Sequence, residues 1–149
     1  MLRLELSLFA LASVVFALPA SAQCGGCSDL SITSETVGTT TNYTVAVTGS
    51  LPNTIAWAAV GDTAGETVFD LGQLGSVTLC LAQPFVIAPI GFTDANGDVS
   101  LAFAVPASDP LGIDLVTQAA AFTIGFDFSV IPPALTLDSC ISNTATISL

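Results

Sequence analysis

From residue 29 to the C-terminus no stretch sustains the apolar spacing of an amphipathic helix. Short runs of Val, Ile, Thr and aromatic residues are broken instead by Gly, Pro and Asn-Gly. The stretch 42–48 sets Tyr43, Val45 and Val47 against Thr44, Ala46 and Thr48, the period of a strand buried on one face. Further strands are expected at 30–35, 55–60, 68–71, 77–81, 113–122, 123–130, 134–137 and 144–149, with turns at 51–53, 61–66 and 72–75. Pro84 and Pro89 confine the stretch they bracket to an edge or irregular strand, because proline offers no N–H to a ladder. Strands of this length, punctuated this often, predict an all-β fold: an antiparallel β-sandwich of Greek-key or immunoglobulin-like type.

The sharpest local signal is Asn96-Gly97 between two apolar runs, the pair that best accepts the positive φ values of a type I′ hairpin turn. A turn there sets a register with Asp94 opposite Val99, Phe92 opposite Leu101 and Ile90 opposite Phe103. Opposed residues share a face, so Ile90, Phe92, Val99, Leu101, Phe103 and Val105 are expected on one side, at the centre of the sandwich. Asp94, Asn96 and Asp98 then cluster at the tip.

Residues 1–22 read as a cleaved export signal. Arg3 supplies a basic start, 6–18 an apolar run too short to span a bilayer, and Ala20-Ser21-Ala22 a cleavage site before Gln23. A lipoprotein signal would need a small residue in place of Gln23. Residues 23–149 are expected to form one exported β-sandwich domain, at the cell surface or beyond, with a Cys/Gly-rich arm at 23–29. The full chain has twelve acidic residues, one basic residue and no histidine; Arg3 and Glu5 leave with the signal, so eleven acids and no base remain.

That imbalance removes whole classes of chemistry. Nucleophile systems built on histidine, Schiff-base lysines and histidine metal sites are all unavailable. No side chain can neutralise phosphate, which argues against nucleic acid, and no segment calls for membrane insertion. The expectation is therefore a non-enzyme. Paired carboxylates are the one catalytic apparatus left, and Asp62, Glu66 and Asp70 are the candidates for a small carboxylate hydrolase; the plainer reading is acids facing water.

Cys24, Cys27, Cys80 and Cys140 read as two disulfides in an exported chain, with three connectivities open. Cys24-Gly25-Gly26-Cys27 has redox spacing but no neighbouring cation to activate a thiolate. The arm is expected to be stapled to the strands carrying Cys80 and Cys140, with Cys27–Cys80 as the guessed pair. Asp94, Asn96 and Asp98 have the alternate spacing of calcium ligands, but Val99 and Val105 stand where a calcium loop needs its glycine and its bidentate Glu. An Asx turn accounts for the same residues, so calcium is a weak candidate and no cofactor is expected. Tyr43 and Trp57 could stack on a sugar, although Trp57 among Ile55, Ala56, Ala58 and Val60 reads as buried. Asn42-Tyr43-Thr44 is a glycosylation sequon, relevant only in a eukaryotic secretory pathway.

Phe92-Thr93-Asp94-Ala95-Asn96-Gly97, then Leu101, Val105-Pro106, Asp109-Pro110-Leu111-Gly112 and Gln118-Ala119, resembles the middle of a group of small exported β-sandwich domains of environmental bacteria. Leu71-Gly72, Gly75 and Cys80-Leu81, with Ser142-Asn143-Thr144 near the end, extend the likeness over about half of residues 23–149. The group has no assigned activity, so the resemblance implies a compartment and a fold and no reaction. The function expected is a secreted structural or protein-interaction module, with an extracellular protein or glycan as partner. Self-assembly through an exposed strand is one version, and a carbohydrate-binding domain, calcium-assisted or not, is the alternative.

Overall fold

The computed structural model describes residues 25–107 and 112–149; the expected export signal and Cys24 lie outside them. Among the described residues nine strands follow one another: β1 (Asp29–Val37), β2 (Thr40–Thr48), β3 (Ile55–Gly61), β4 (Ala64–Asp70), β5 (Ser76–Leu81), β6 (Phe85–Phe92), β7 (Val99–Pro106), β8 (Asp114–Asp127) and β9 (Ala134–Ser148). A single 3-10 turn, Gly72–Leu74, joins β4 to β5. The strands expected at 113–122 and 123–130 are one strand, as are those at 134–137 and 144–149. Gly125 does not break β8, because it sits in register under Thr136 of β9.

All strand pairs are antiparallel and form a three-stranded sheet (β1-β2-β7), a four-stranded sheet (β6-β3-β8-β9) and the separate β4–β5 hairpin. With that hairpin set aside, the order reproduces the A-B-E and C′-C-F-G sheets of an immunoglobulin-like sandwich, and β4–β5 is an insertion between C and C′. Pro89 does fall at an edge, since β6 is the outer strand of its sheet, and Pro84 immediately precedes that strand. A register shift at Ala56/Trp57 lets Ile90 bulge inward and be buried while Phe92 is left 74% exposed.

The Asn96-Gly97 segment is therefore not a hairpin. β6 pairs with β3 and β7 pairs with β2, so residues 93–98 form an arch that carries the chain from one sheet to the other. The connection from β2 to β3 makes the same crossing in the opposite sense, and the two arches brace each other. Ser50 N–H donates to the Gly97 carbonyl (3.0 Å), Asn53 N–H to the Asp94 carbonyl (3.1 Å), and Thr93 Oγ1 to the Leu51 carbonyl (2.6 Å). Gly97 has φ +83°, and a Cβ there would run into the Ser50 carbonyl. The same glycine that would suit a hairpin turn is needed for this close approach. In β7, Val99, Leu101 and Phe103 share a face with Val47, Val45 and Tyr43, their partners in register. Leu101 and Phe103 remain partly exposed because β7 is an edge strand.

The four-stranded sheet is covered on both faces, and its sequence reflects that. Leu30, Val45, Val47 and Ile90 pack against Ala56 and Ala119 on the face toward the three-stranded sheet. On the opposite face Ala59 packs under Leu79 and Leu81 of the hairpin. A strand buried on two sides loses polar alternation, which is why Ala119-Ala120-Ala121 are all buried.

One hydrogen-bonded node ties the layers together. β9 bulges at Ser142-Asn143, opposite the register shift at Gln118/Ala120. The freed Asn143 side chain accepts from Leu30 N–H (2.7 Å) and donates to the Leu30 carbonyl (3.1 Å), taking the place of a strand partner for β1. Ser142 Oγ accepts from Ala119 N–H (2.8 Å), and Gln118 spans from Cys80 N–H (2.8 Å) to the Ser142 carbonyl (2.8 Å). The N-terminal arm lies on the same bulge. Gly26 N–H donates to the Ile141 carbonyl (3.0 Å), Ser28 bridges Ser142 in parallel, and any side chain at Gly25 would meet the Ser142 carbonyl. Cys27 is thereby placed 5.5 Å, Cα to Cα, from Cys140, and these two form the disulfide. The expected Cys27–Cys80 pair is thus incorrect, because the chain at Gly26–Ser28 lies along β9. Cys80 is also disulfide-bonded.

Candidate functional site

The acidic tip is occupied by its own backbone. Asp94 Oδ1 accepts from the N–H groups of Asn96 (2.7 Å) and Asp98 (3.0 Å), an Asx turn, and Asp98 Oδ1 accepts from Gly49 N–H (2.9 Å) on the neighbouring arch. Asn96 is exposed. Among the described residues no group of three or more Asp, Glu, Cys or His side chains is placed to hold a metal ion.

The bonds to Asp94, that from Asp98 N–H first and that from Asn96 N–H second, hold its carboxyl below the usual value of 3.8. A depressed folded pKa gives stability that is complete above the unfolded value and lost as pH falls through the folded one. The stability difference between wild type and Asp94→Asn is therefore expected to be constant from neutral pH down to the ordinary carboxylate range and to close below it. Melts taken across that range check this; a difference unchanged in strong acid would contradict it.

The other candidates do not converge. Glu66 and Asp70 are exposed along β4, roughly 13 Å apart at the rise of an extended strand. Hydrolytic carboxylate pairs stand about 5–9.5 Å apart. Asp70 caps the start of the 3-10 turn by accepting from Gly72 N–H (2.8 Å), and Asp62 is exposed in the turn before β4. Tyr43 is buried, stacked on Phe103 with ring centroids 5.3 Å apart, and its hydroxyl donates to the Ser148 carbonyl (2.6 Å). It is no platform for a sugar. Trp57 is half-buried on the face of the four-stranded sheet that turns away from the three-stranded one.

That outer face carries what the sequence did not single out. The β4–β5 hairpin covers it incompletely and leaves a cavity of about 410 Å³. Trp57, Ala59, Ala120, Phe122, Ile124 and Leu137 are among its walls on the sheet side. Phe69, Val77 and Leu79 of the hairpin close over it, with Leu71 and Leu74 from the 3-10 turn and its flank. The surface that these side chains turn toward it is entirely apolar.

The cavity opens toward a second apolar feature. β3 pairs with β8 only as far as Ala121, and from Phe122 onward β8 has β9 alone as its neighbour. The two strands run on together through Asp127 and Ala134, about 20 Å at the rise of a strand, as a projecting ribbon. Phe122, Ile124 and Phe126 lie on one face with Leu135 and Leu137, their register partners or near neighbours. Ile124 and Phe126 are each 62% exposed, and at the tip Ile131 is 98% exposed beside Phe128 and Val130. The alternation Phe122-Ile124-Phe126-Phe128 is visible in the sequence, but it reads there as an ordinary half-buried strand.

No helix among the described residues is long and apolar enough to cross a membrane. Comparison of the chain with protein-family models, with curated proteins and with solved structures gave no match.

Proposed function

We propose that this chain is a structural or protein-interaction module of the extracellular space, exported by residues 1–22 and acting at the cell surface or in a matrix, with the β8–β9 ribbon as its contact surface. The observation that carries this reading is the ribbon itself: a two-stranded projection with an uncovered apolar face. Large exposed apolar patches on a folded domain commonly mark where it meets something else. The disulfide between Cys27 and Cys140 suits an oxidising compartment. Glycan recognition needs hydrogen-bonding groups beside an aromatic face, and the apolar walls around Trp57 supply none.

The partner is either a cationic protein or a second copy of this chain, and salt separates the two. Eleven acids without a base attract a cationic partner and repel another copy, so added salt weakens the first association and strengthens the second. The triple variant Phe126→Ser, Phe128→Ser, Ile131→Ser removes apolar surface from exposed positions, where substitutions typically change stability by no more than about 0.5 kcal/mol each. In the cells that export the protein, this variant is expected to fall at least tenfold in the surface-retained fraction while melting as the wild type does. Equal retention would overturn the reading.

A further inference from the structure

We infer that the cavity beneath the β4–β5 hairpin is a binding site for an uncharged hydrocarbon, seated against Trp57. This goes beyond the interaction reading and does not rest on it. The hollow exists because of two small residues: Ala59 and Ala120 form a buried floor where the neighbouring positions carry Trp57, Phe69 and Leu137. The opposite wall, including Leu74 of the 3-10 turn, belongs to a hairpin inserted into the sandwich. Its volume of about 410 Å³ falls within the common span of ligand sites, about 300–1,000 Å³. Apolar cavities of about 150 Å³ already take up benzene.

The walls select the chemistry. A sugar or peptide group entering here would give up its bonds to water and find no donor or acceptor in return, a loss of several kcal/mol for each group. An anionic headgroup fares no better, because the exported chain has no Lys, Arg or His to meet it and eleven acids to repel it. Water inside makes no hydrogen bonds to these walls, so its displacement costs little. A neutral hydrocarbon satisfies each of these conditions.

Trp57 is the only tryptophan and lines the cavity, so it reports on the site directly. The test titrates 1-bromooctane, a neutral heavy-atom quencher, into the exported chain and follows tryptophan fluorescence. Saturable quenching is expected, with 8-bromooctanoate at least tenfold weaker at neutral pH. Ala120→Leu, which fills the floor, is expected to weaken 1-bromooctane at least fivefold. Should that variant fail to fold, Leu74→Asp places a charge on the half-buried wall instead and is expected to do the same. Ile131→Ser, at the distant ribbon tip, is expected to leave quenching unchanged. Absent or non-saturating quenching, or equal quenching in the wild type and a folded wall variant, would overturn the assignment. A dimer by light scattering, with Trp57 blue-shifted as protein concentration rises and no response to bromooctane, would also overturn it and give the cavity to a second copy. Saturable quenching in a chain that shows no ribbon-dependent retention would overturn the interaction reading alone.

Discussion

Replacing both Cys27 and Cys140 by serine is expected to lower the unfolding free energy by about 4–5 kcal/mol, the chain-entropy value for a closed loop of this order. The bridge joins residues 113 apart in sequence, so the unfolded chain loses nearly as much freedom as one cross-link in this protein can remove. Small domains are stable by about 5–15 kcal/mol in total, so this change leaves a protein that melts early or does not fold at physiological temperature. The double variant is preferable to chemical reduction, which would also open the disulfide at Cys80. Urea unfolding measures the effect. A loss under about 1 kcal/mol would mean that the arm is held on β9 by the Gly26 and Ser28 contacts and that the bridge adds little to them.

Gln118→Ala is expected to cost about 3–5 kcal/mol, which for a domain of this size lowers the melting temperature by roughly 10–20 °C. Gln118 is 0% exposed, and its amide is shared between the Cys80 N–H of the β4–β5 hairpin and the Ser142 carbonyl of β9. Truncation leaves one part-buried donor and one buried acceptor unpaired, at about 1–3 kcal/mol each, and adds a cavity. Gln118→Met keeps the volume and removes only the hydrogen bonds, so its cost separates the two terms. Gln118→Glu is expected to be at least as damaging as the alanine variant, because a carboxylate accepts from Cys80 N–H but has nothing to donate to Ser142. Thermal melts of the three variants check the order. Near-wild-type stability for Gln118→Ala would show that water enters the node and replaces the amide.

The strands were legible in the sequence because burial on one face leaves a local period: Tyr43, Val45 and Val47 are all buried, as their alternation indicates. Pro89 identified an edge for the same kind of local reason, the missing N–H. Asn96-Gly97 signals a tight reversal, and the hairpin expected from it is an arch instead. A hairpin and an arch use the same turn chemistry, and what distinguishes them is which strand lies alongside, set by residues as far off as Ile55 and Val47. The pairing of Cys27 with Cys140 has no local signal, because the path of the arm is decided at a bulge in β9, over one hundred residues away.

The residues on which the expected resemblance rests have structural roles in this fold. Thr93, Asp94 and Gly97 lock the paired arches, Gln118 and Cys80 meet in one hydrogen bond, and Ser142 and Asn143 hold β1, β8 and the arm together. The candidate site lies elsewhere. Neither Ala59 and Ala120 as a cavity floor nor the ribbon as a projection has a local signature. A small residue or an alternating strand looks the same whether or not another layer covers it.

The most direct measurement places a photo-crosslinking amino acid at Ile131 on the ribbon tip or at Asn96 on the acidic arch and irradiates the cells that produce each version. Both positions are exposed, so either can report a partner within reach. Adducts from position 131, with none or few from position 96, are the expected result. Adducts from 96 with none from 131 would contradict the account and place the contact surface at the acidic arch.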